Sequence, residues 1–503
     1  MDWLNYTVFG LYILGMIAIA YYSRKRTATV KDTLLGNRNT GGWMSAFAYG
    51  ATYFSAVVFV GYAGGFGYKY GIAVISIGIG NALIGSLMPW LLFSRKTRRI
   101  TRTLDVKTMP EYFEARYETK RLKLISAAII LIFLIPYSAS VYQGLGYIFE
   151  QALGIPFAWI IVILAALTAL YLFFGGYYAT TLSDFFQGII MLLGIVLMIV
   201  FVYNHDKVNG IINGIMKIEE WRAADASVGD AGNNLYTLIS LVLLTSLGTW
   251  GLPQIVHKFY TVRNENAIKK ATWVSTGFAV IISAGAYFVG VVAVLVVGRE
   301  IPSGNRMAQL MIETLPAGVL GLILVLLLSA SMSTLSGIAL VSGGAGAVDI
   351  FKGFIFKKAK DKTVNLIMKL ICLGVVLISA IIAAFNPTTI VNLMSFSWGV
   401  LGGCFIGPFI YGLYMKKASK AAAYTSIIGA LSLTLGLYII SRTVPATAAW
   451  LAPPAIGVYS MIFSLIVTPI VSRFTAPPSQ ELLDKIMVKT DEKAWTQETG
   501  AAE

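Results

Sequence analysis

Four hydroxyl side chains, Ser331, Ser333, Thr334 and Ser336, fall within six residues inside a long apolar run. Ser333 and Ser336 are three apart and share one face of a helix. Hydroxyl and carbonyl oxygens are the ligands that hard cations take. The same serines can instead bond the carbonyl one turn back or let helices approach closely. A second place for such chemistry is Gly50-Ala51-Thr52-Tyr53-Phe54-Ser55, in the middle of the apolar stretch 43–70. Glycine, small hydroxyl residues and neighbouring aromatics disfavour a continuous helix there. A break would leave carbonyls without partners, which a membrane tolerates only where they line a buried or wet cavity. The alternative is a glycine-containing packing helix. The third candidate is Asp184, the one carboxylate placed well inside an apolar run. Such a residue costs about 3 kcal/mol at the centre of a span and marks function by default. In the first turn of its helix it would instead complement the dipole.

The elements that must position these residues are membrane spans. Of the 503 residues, 57% are hydrophobic and 13% charged, far from the quarter charged of a soluble chain. Apolar runs of about 20 residues recur along the whole sequence, as in a polytopic membrane protein. Thirteen are expected, roughly 3–22, 43–66, 72–93, 122–149, 158–174, 180–203, 235–255, 271–298, 317–345, 364–384, 390–414, 421–441 and 452–472. The first has spanning length and no basic region before it, so it reads as a retained helix. The connections near 23–42, 94–121, 256–270, 346–363 and 415–420, with the tail from Arg473, hold 30 of the 39 Lys and Arg. The positive-inside rule then places the N-terminus outside and the C-terminus in the cytoplasm. The net charge of +15 follows from this topology and calls for no nucleic acid. The basic segment 94–121, with Arg95, Lys96, Arg98, Arg99 and Arg102, is expected to be a solvated loop near anionic headgroups. The outer connection 204–234 is acidic and reads as holding a short surface helix around 211–221. Cys372 and Cys404 lie in apolar runs and read as packing residues, and two histidines make a histidine metal site improbable.

A symmetry emerges from the breaks. Span two is interrupted near Gly50–Ser55 and span seven near Leu247-Gly248-Thr249-Trp250-Gly251-Leu252-Pro253, five spans later and running the other way. Paired interrupted helices at matching places point to inverted repeats with a site near the midplane.

Three motifs carry a resemblance. Gly175, Gly176, Ala179, Asp184 and Gln187, the sequence Ser-Met-Ser-Thr-Leu-Ser at 331–336 and Gly-Leu-Pro-Gln at 251–254 resemble the signatures of the sodium/solute symporter family. The likeness runs from about residue 1 to 475. It implies an all-α membrane protein with a LeuT-like five-plus-five inverted repeat, here about 43–203 and 235–414, flanked by extra helices. Residues 1–475 would form one transporter domain and 476–503 a cytoplasmic tail.

The resemblance also implies a sodium site between spans two and nine, made by the carbonyls of Ala51, Phe54 and Ala330 and the hydroxyls of Ser333 and Thr334. Asp184 and Ser336 match a second sodium position of some members. Gly337 stands where those members have a further serine, and Ser183 replaces their threonine, so one coupled sodium is expected, with a second at Asp184 and Ser336 as the alternative. The solute would lie against the two breaks, with Tyr53, Ser55 and Val58 from span two, Tyr137 and Gln143 from span four, and Thr245, Thr249 and Trp250 from span seven. Family proline carriers have aromatics where this chain has Thr245 and Thr249. Ala-Thr-Tyr-Phe-Ser at 51–55 and Tyr-Lys-Tyr-Gly at 68–71 look closer to the pantothenate and monocarboxylate branch.

The expected function is therefore a sodium-driven symporter in the cell membrane. It would import a small carboxylate-bearing solute by alternating access, with a proline-type sodium/amino-acid symporter as the alternative. An ion channel or membrane sensor is the reading of a different class. The sequence has no selectivity-filter repeat, no Gly-x-x-x-x-Gly-Lys-[Ser/Thr] and no His/Cys/Asp metal constellation. It thus points away from an enzyme or an ATP-driven pump. Sodium, a small solute and lipid are the expected partners, with no obligate protein partner.

Overall fold

The computed structural model describes residues 3–23, 29–225, 231–302, 304–447 and 450–487. Among these the regular structure is helical, and one parallel bridge, Thr40 with Val262, is the sole pairing of extended backbone. Eleven helical stretches are long and apolar enough to cross a membrane. One of them, Val57–Leu92, cannot be a single rod. A straight helix would carry Gly85 roughly 42 Å from Val57. Instead the Tyr49 hydroxyl donates to Gly85 O at 2.6 Å. The chain reverses at Gly71, whose φ of 53° and ψ of −140° lie where a side chain is strained. With that stretch divided, and with the shorter apolar helix Phe157–Leu170 counted, the thirteen expected spans are recovered.

Span nine, within Val319–Ile355, and span eleven, Ile390–Tyr414, are almost wholly buried. Spans one and twelve, Trp3–Ser23 and Lys420–Thr443, expose most of their surface and flank the bundle. Spans five and six run as one helix, Phe157–Tyr203, interrupted at Gly176 by φ 58° and ψ −171°. The expected surface helix is present as Ile211–Ala223, with Asp230 of the same connection outside the described residues. A short tail helix, Gln480–Met487, follows Pro477-Pro478, and the residues after it lie outside the described set. Both cysteines are buried and unbridged.

The segment 94–121 departs from expectation. It forms two helices, Ser94–Thr103 and Met109–Tyr117, and Arg98, Arg102 and Arg116 turn inward while Arg95 and Lys96 stay exposed. Arg98 donates to Val262 O at 2.9 Å, Arg102 to Arg38 O at 2.7 Å, and the fully buried Arg116 to Gly412 O and Met415 O at 2.7 and 2.8 Å. The physical reason is the supply of helix-end carbonyls, which need donors once they are covered.

Candidate functional site

Span two begins as the helix Gly42–Tyr53 and stops at Phe54, which is extended at φ −104° and ψ 122°. The interruption lies at Phe54–Ser55, at the end of the expected window. Gly50 is helical, and a methyl group there would meet the Phe278 ring at 2.4 Å, so its smallness serves packing against span eight. Beyond the break the amide donors are diverted from the helical ladder. Ala56 N–H donates to Ser331 Oγ at 3.1 Å, Val57 N–H to Ser55 Oγ at 3.3 Å and Val58 N–H to Ser55 O at 3.0 Å. Ser331 thus caps the restarted helix.

One carbonyl at the break, that of Thr52, faces span nine. Thr334 Oγ1 lies 3.1 Å from Thr52 O and 3.1 Å from its own-helix Ala330 O. A hydroxyl has one proton, so it donates to only one of these oxygens at a time. Ser333 Oγ lies 3.4 Å from Thr52 Oγ1. Ala51, Thr52, Phe54, Ala330, Ser333 and Thr334 are all within 1% of complete burial. Neutral oxygens from a helix C-terminus and two hydroxyls thus lie together, with the Asp184 carboxyl adjoining the Ser333 hydroxyl. The partial negative charge of that helix end favours a cation.

Asp184 is also buried, and it is not in a first turn. The helix resumes after Gly176, so Asp184 lies about two turns in, and the dipole-capping alternative falls away. Its Oδ2 pairs with Lys258 Nζ at 3.1 Å. Lys258 comes from Pro253–Tyr260, the helix that restarts span seven after its own break. The Asp184 carboxyl also faces the Ser333 hydroxyl. The Ser336 hydroxyl donates to Ser333 O at 2.9 Å. An ammonium group therefore stands beside the carboxylate that the resemblance matched to a second sodium position.

Span seven breaks as foreseen. Its first part ends in a tight turn, Gly248–Trp250, Leu252 is extended, and Pro253 opens the next helix. The polar atoms expected to meet a solute here are already engaged. Thr245 Oγ1 donates to Leu241 O at 2.8 Å, Thr249 Oγ1 lies 3.0 Å from Gly85 O, and Trp250 Nε1 donates to Ile84 O at 2.8 Å. Gln143 donates to Asn386 Oδ1 at 2.9 Å, and so joins spans four and ten. The Tyr53 hydroxyl donates to Thr245 O at 2.7 Å and ties the two breaks together. Ser55, Val58 and Tyr137 are buried beside the first break.

One residue here was not foreseen. Trp398 of span eleven is 1% exposed. Its ring lies 6.3 Å from Tyr53 and 5.6 Å, edge to face, from Tyr137. A methyl group at Gly248 would sit 2.8 Å from it. It therefore touches both breaks and span four. Nothing in its apolar run distinguishes it from core packing.

Known proteins resemble this chain in sequence and in fold. The description "Sodium:solute symporter family" matches residues 34–429. Sodium/proline symporters of Staphylococcus aureus, among them those of strains JH9 and USA300, are 29% identical over 509 residues, covering 95% of this chain and 94% of theirs. Among solved structures, the substrate-bound outward-open state of a Na+-coupled sialic acid symporter gives a TM-score of 0.76 at 19% identity, covering 95% of this chain and 99% of that one. MHP1, a nucleobase-cation-symport-1 family transporter in a closed conformation with bromovinylhydantoin bound, gives 0.56 at 14% identity over 90% and 98%.

Proposed function

Because this chain belongs to the sodium:solute symporter family, we propose that it imports a small amino acid of the proline type, one sodium entering with each molecule. The proline reading, which the sequence had ranked second, is supported by the names of the 29%-identical relatives. The threonines at 245 and 249, which argued against it, have hydroxyls committed to the backbone. Tyr53, Tyr137 and Trp398 supply aromatic surface from other spans instead. The pantothenate and monocarboxylate reading shares the carboxylate, and sodium-driven uptake of pantothenate or pyruvate with none of L-proline would favour it.

The sodium position proposed is the one between spans two and nine, with Ala51, Phe54 and Ala330 offering carbonyls and Ser333 and Thr334 hydroxyls. The observation that carries it is Thr334 Oγ1 held between Thr52 O and Ala330 O at the broken helix end. Asp184 and Ser336 form no second sodium site in this reading, since the Lys258 ammonium already neutralises the carboxylate. With the N-terminus outside and the basic connections inside, each sodium entering gains about 2.3 kcal/mol per 100 mV of membrane potential. Sodium must favour the solute-ready state for that energy to be coupled. Ligand loss at a charged centre weakens binding by roughly tenfold or more. Thr334→Ala and Ser333→Ala should therefore raise the sodium concentration for half-maximal L-proline uptake in proteoliposomes by about that factor. Unchanged sodium activation in both variants would remove the assignment.

A further inference from the structure

The turn that joins spans nine and ten carries a concentration of charge that neither break uses. Between Lys352 and Lys362 the chain holds five lysines and one aspartate. Span nine ends as a widened helix, Ala345–Ile355, and span ten is the helix Asp361–Phe385. Phe356 leaves the first helix at φ −125° and ψ 73°, its N–H bonding Phe351 O at 2.7 Å. The Ala359 N–H bonds Phe356 O at 2.9 Å, so the turn folds back on itself. Lys352 Nζ lies 2.8 Å from Asp361 Oδ1 and ties the two helix ends together. That pair engages the one carboxylate of the segment. Lys357, Lys358, Lys360 and Lys362 are exposed and enter no ion pair among the described residues. The fold-back encloses a cavity of about 750 Å³. Its walls are Phe351, Phe354, Ile355 and Phe356, with the rings of Phe351 and Phe356 4.9 Å apart. Lys357 and Lys358 line it as well, and Thr363, in the first turn of span ten, closes the other side. From Thr363 an exposed stripe, Leu366, Leu370 and Leu377, runs down the same face of span ten. A cationic rim thus continues through aromatic walls into surface suited to hydrocarbon.

We infer that this turn is a binding site for one anionic glycerophospholipid of the leaflet on the basic side of the membrane. A soluble phosphate would use the lysines and leave the apolar walls bare. A lipid with a negatively charged headgroup uses both, its phosphate against the ammonium groups and an acyl chain along Phe356 and the leucine stripe. Basic pockets at helix ends suit such headgroups, and lysine stems lie along apolar surface while their charged tips reach outward. The inference does not depend on which solute is carried. Seated there, the lipid joins the end of the helix that bears Ser333 and Thr334 to the start of span ten.

The test is thermal stabilisation of the full-length protein in detergent, titrated with dioleoylphosphatidylglycerol, with dioleoylphosphatidylcholine, and with glycerol phosphate as the headgroup without its chains. Wild type should answer to phosphatidylglycerol at a lower concentration than to phosphatidylcholine, and not to glycerol phosphate. In the triple variant Lys357→Gln, Lys358→Gln, Lys360→Gln the phosphatidylglycerol needed for half the effect should rise by about tenfold or more. The midpoint of this variant without added lipid should match wild type, which reports that it folds. A second triple variant, Lys416→Gln, Lys417→Gln, Lys420→Gln, removes equal charge from exposed positions between spans eleven and twelve and should respond as wild type does. Phe356→Ser keeps the lysines and should also weaken phosphatidylglycerol. Equal response of wild type to the two lipids, equal loss in the two triple variants, or stabilisation by glycerol phosphate alone overturns the lipid site. A dimer in native mass spectra that Phe356→Ser abolishes would put a second copy of the chain in the cavity and overturn it too.

Discussion

Lys258 and Asp184 show how much one pair can decide. Both are nearly inaccessible, at 3% and 1% exposure, and their ion pair joins the helices that follow Gly176 and Pro253. Removing one partner from a buried pair leaves an uncompensated charge and costs about 3–5 kcal/mol, whereas replacing both by neutral groups is often tolerated. Lys258→Met should therefore lower the thermal midpoint of the purified protein markedly, and the double variant Asp184→Asn, Lys258→Met should recover much of the loss. A double variant no more stable than the single one would show that the ammonium is not there to neutralise the carboxylate. Asp184 was legible in the sequence because a carboxylate inside an apolar run is rare. Lys258 was not, because it sits among basic residues assigned to a connection, and only the fold shows that Pro253 restarts a helix there. Trp398 was hidden for the opposite reason: in a span rich in Phe, Leu and Val, an aromatic residue carries no positional signal.

At the scale of elements, the two interruptions were readable from glycine, proline and hydroxyl clustering, but their register was not. The break in span two falls at Phe54–Ser55, and Gly50 instead accommodates Phe278. Close helix approach is what local propensity cannot report. Spans two and eight meet through Gly67 and Gly290, where a methyl group on Gly67 would stand 2.0 Å from Gly290 O and one on Gly290 2.4 Å from Ala63 O. These contacts are to backbone, so no side chain can swing away. Gly67→Ala should separate the helices and destabilise the protein by about 1–3 kcal/mol, as overpacking does, and Gly290→Ala should do likewise. Thermal unfolding in detergent measures both, with Gly65→Ala, which meets open space, as the control that should be nearly silent.

Over the whole molecule, hydropathy gave the span count, because lipid permits few alternatives. Neither hydropathy nor charge gave the inward arginines, because charge counting treats a connection as solvated. The closing of the chain on itself was equally invisible. The Ser479 N–H donates to Glu118 Oε2 at 2.8 Å and its hydroxyl to Oε1, and Arg99 reaches Ile486 O at 3.1 Å. These bonds from the Ser479 hydroxyl and N–H hold the Glu118 carboxyl below its ordinary value of 4.5. A depressed pKa contributes stability that is present above the unfolded value and lost as pH falls through the folded one. A fluorophore at position 482 should therefore gain mobility as pH falls below the ordinary carboxyl value of 4.5 and through the lowered value of Glu118, and Glu118→Gln should abolish that pH dependence. The seam beneath the two interrupted helices has the widest reach. Thr40 N–H bonds Thr261 O at 3.1 Å and Arg263 N–H bonds Thr40 O at 2.9 Å, with Arg98 and Arg102 bridging the same strip. The segment that leads into one severed rod is thereby stitched to the segment that leaves the other. These bonds oppose either segment tilting alone, so under the proposed reading the half that would take the ion and the half that would take the solute share one lever arm, a matter of carpentry at the rim as much as of chemistry in the middle.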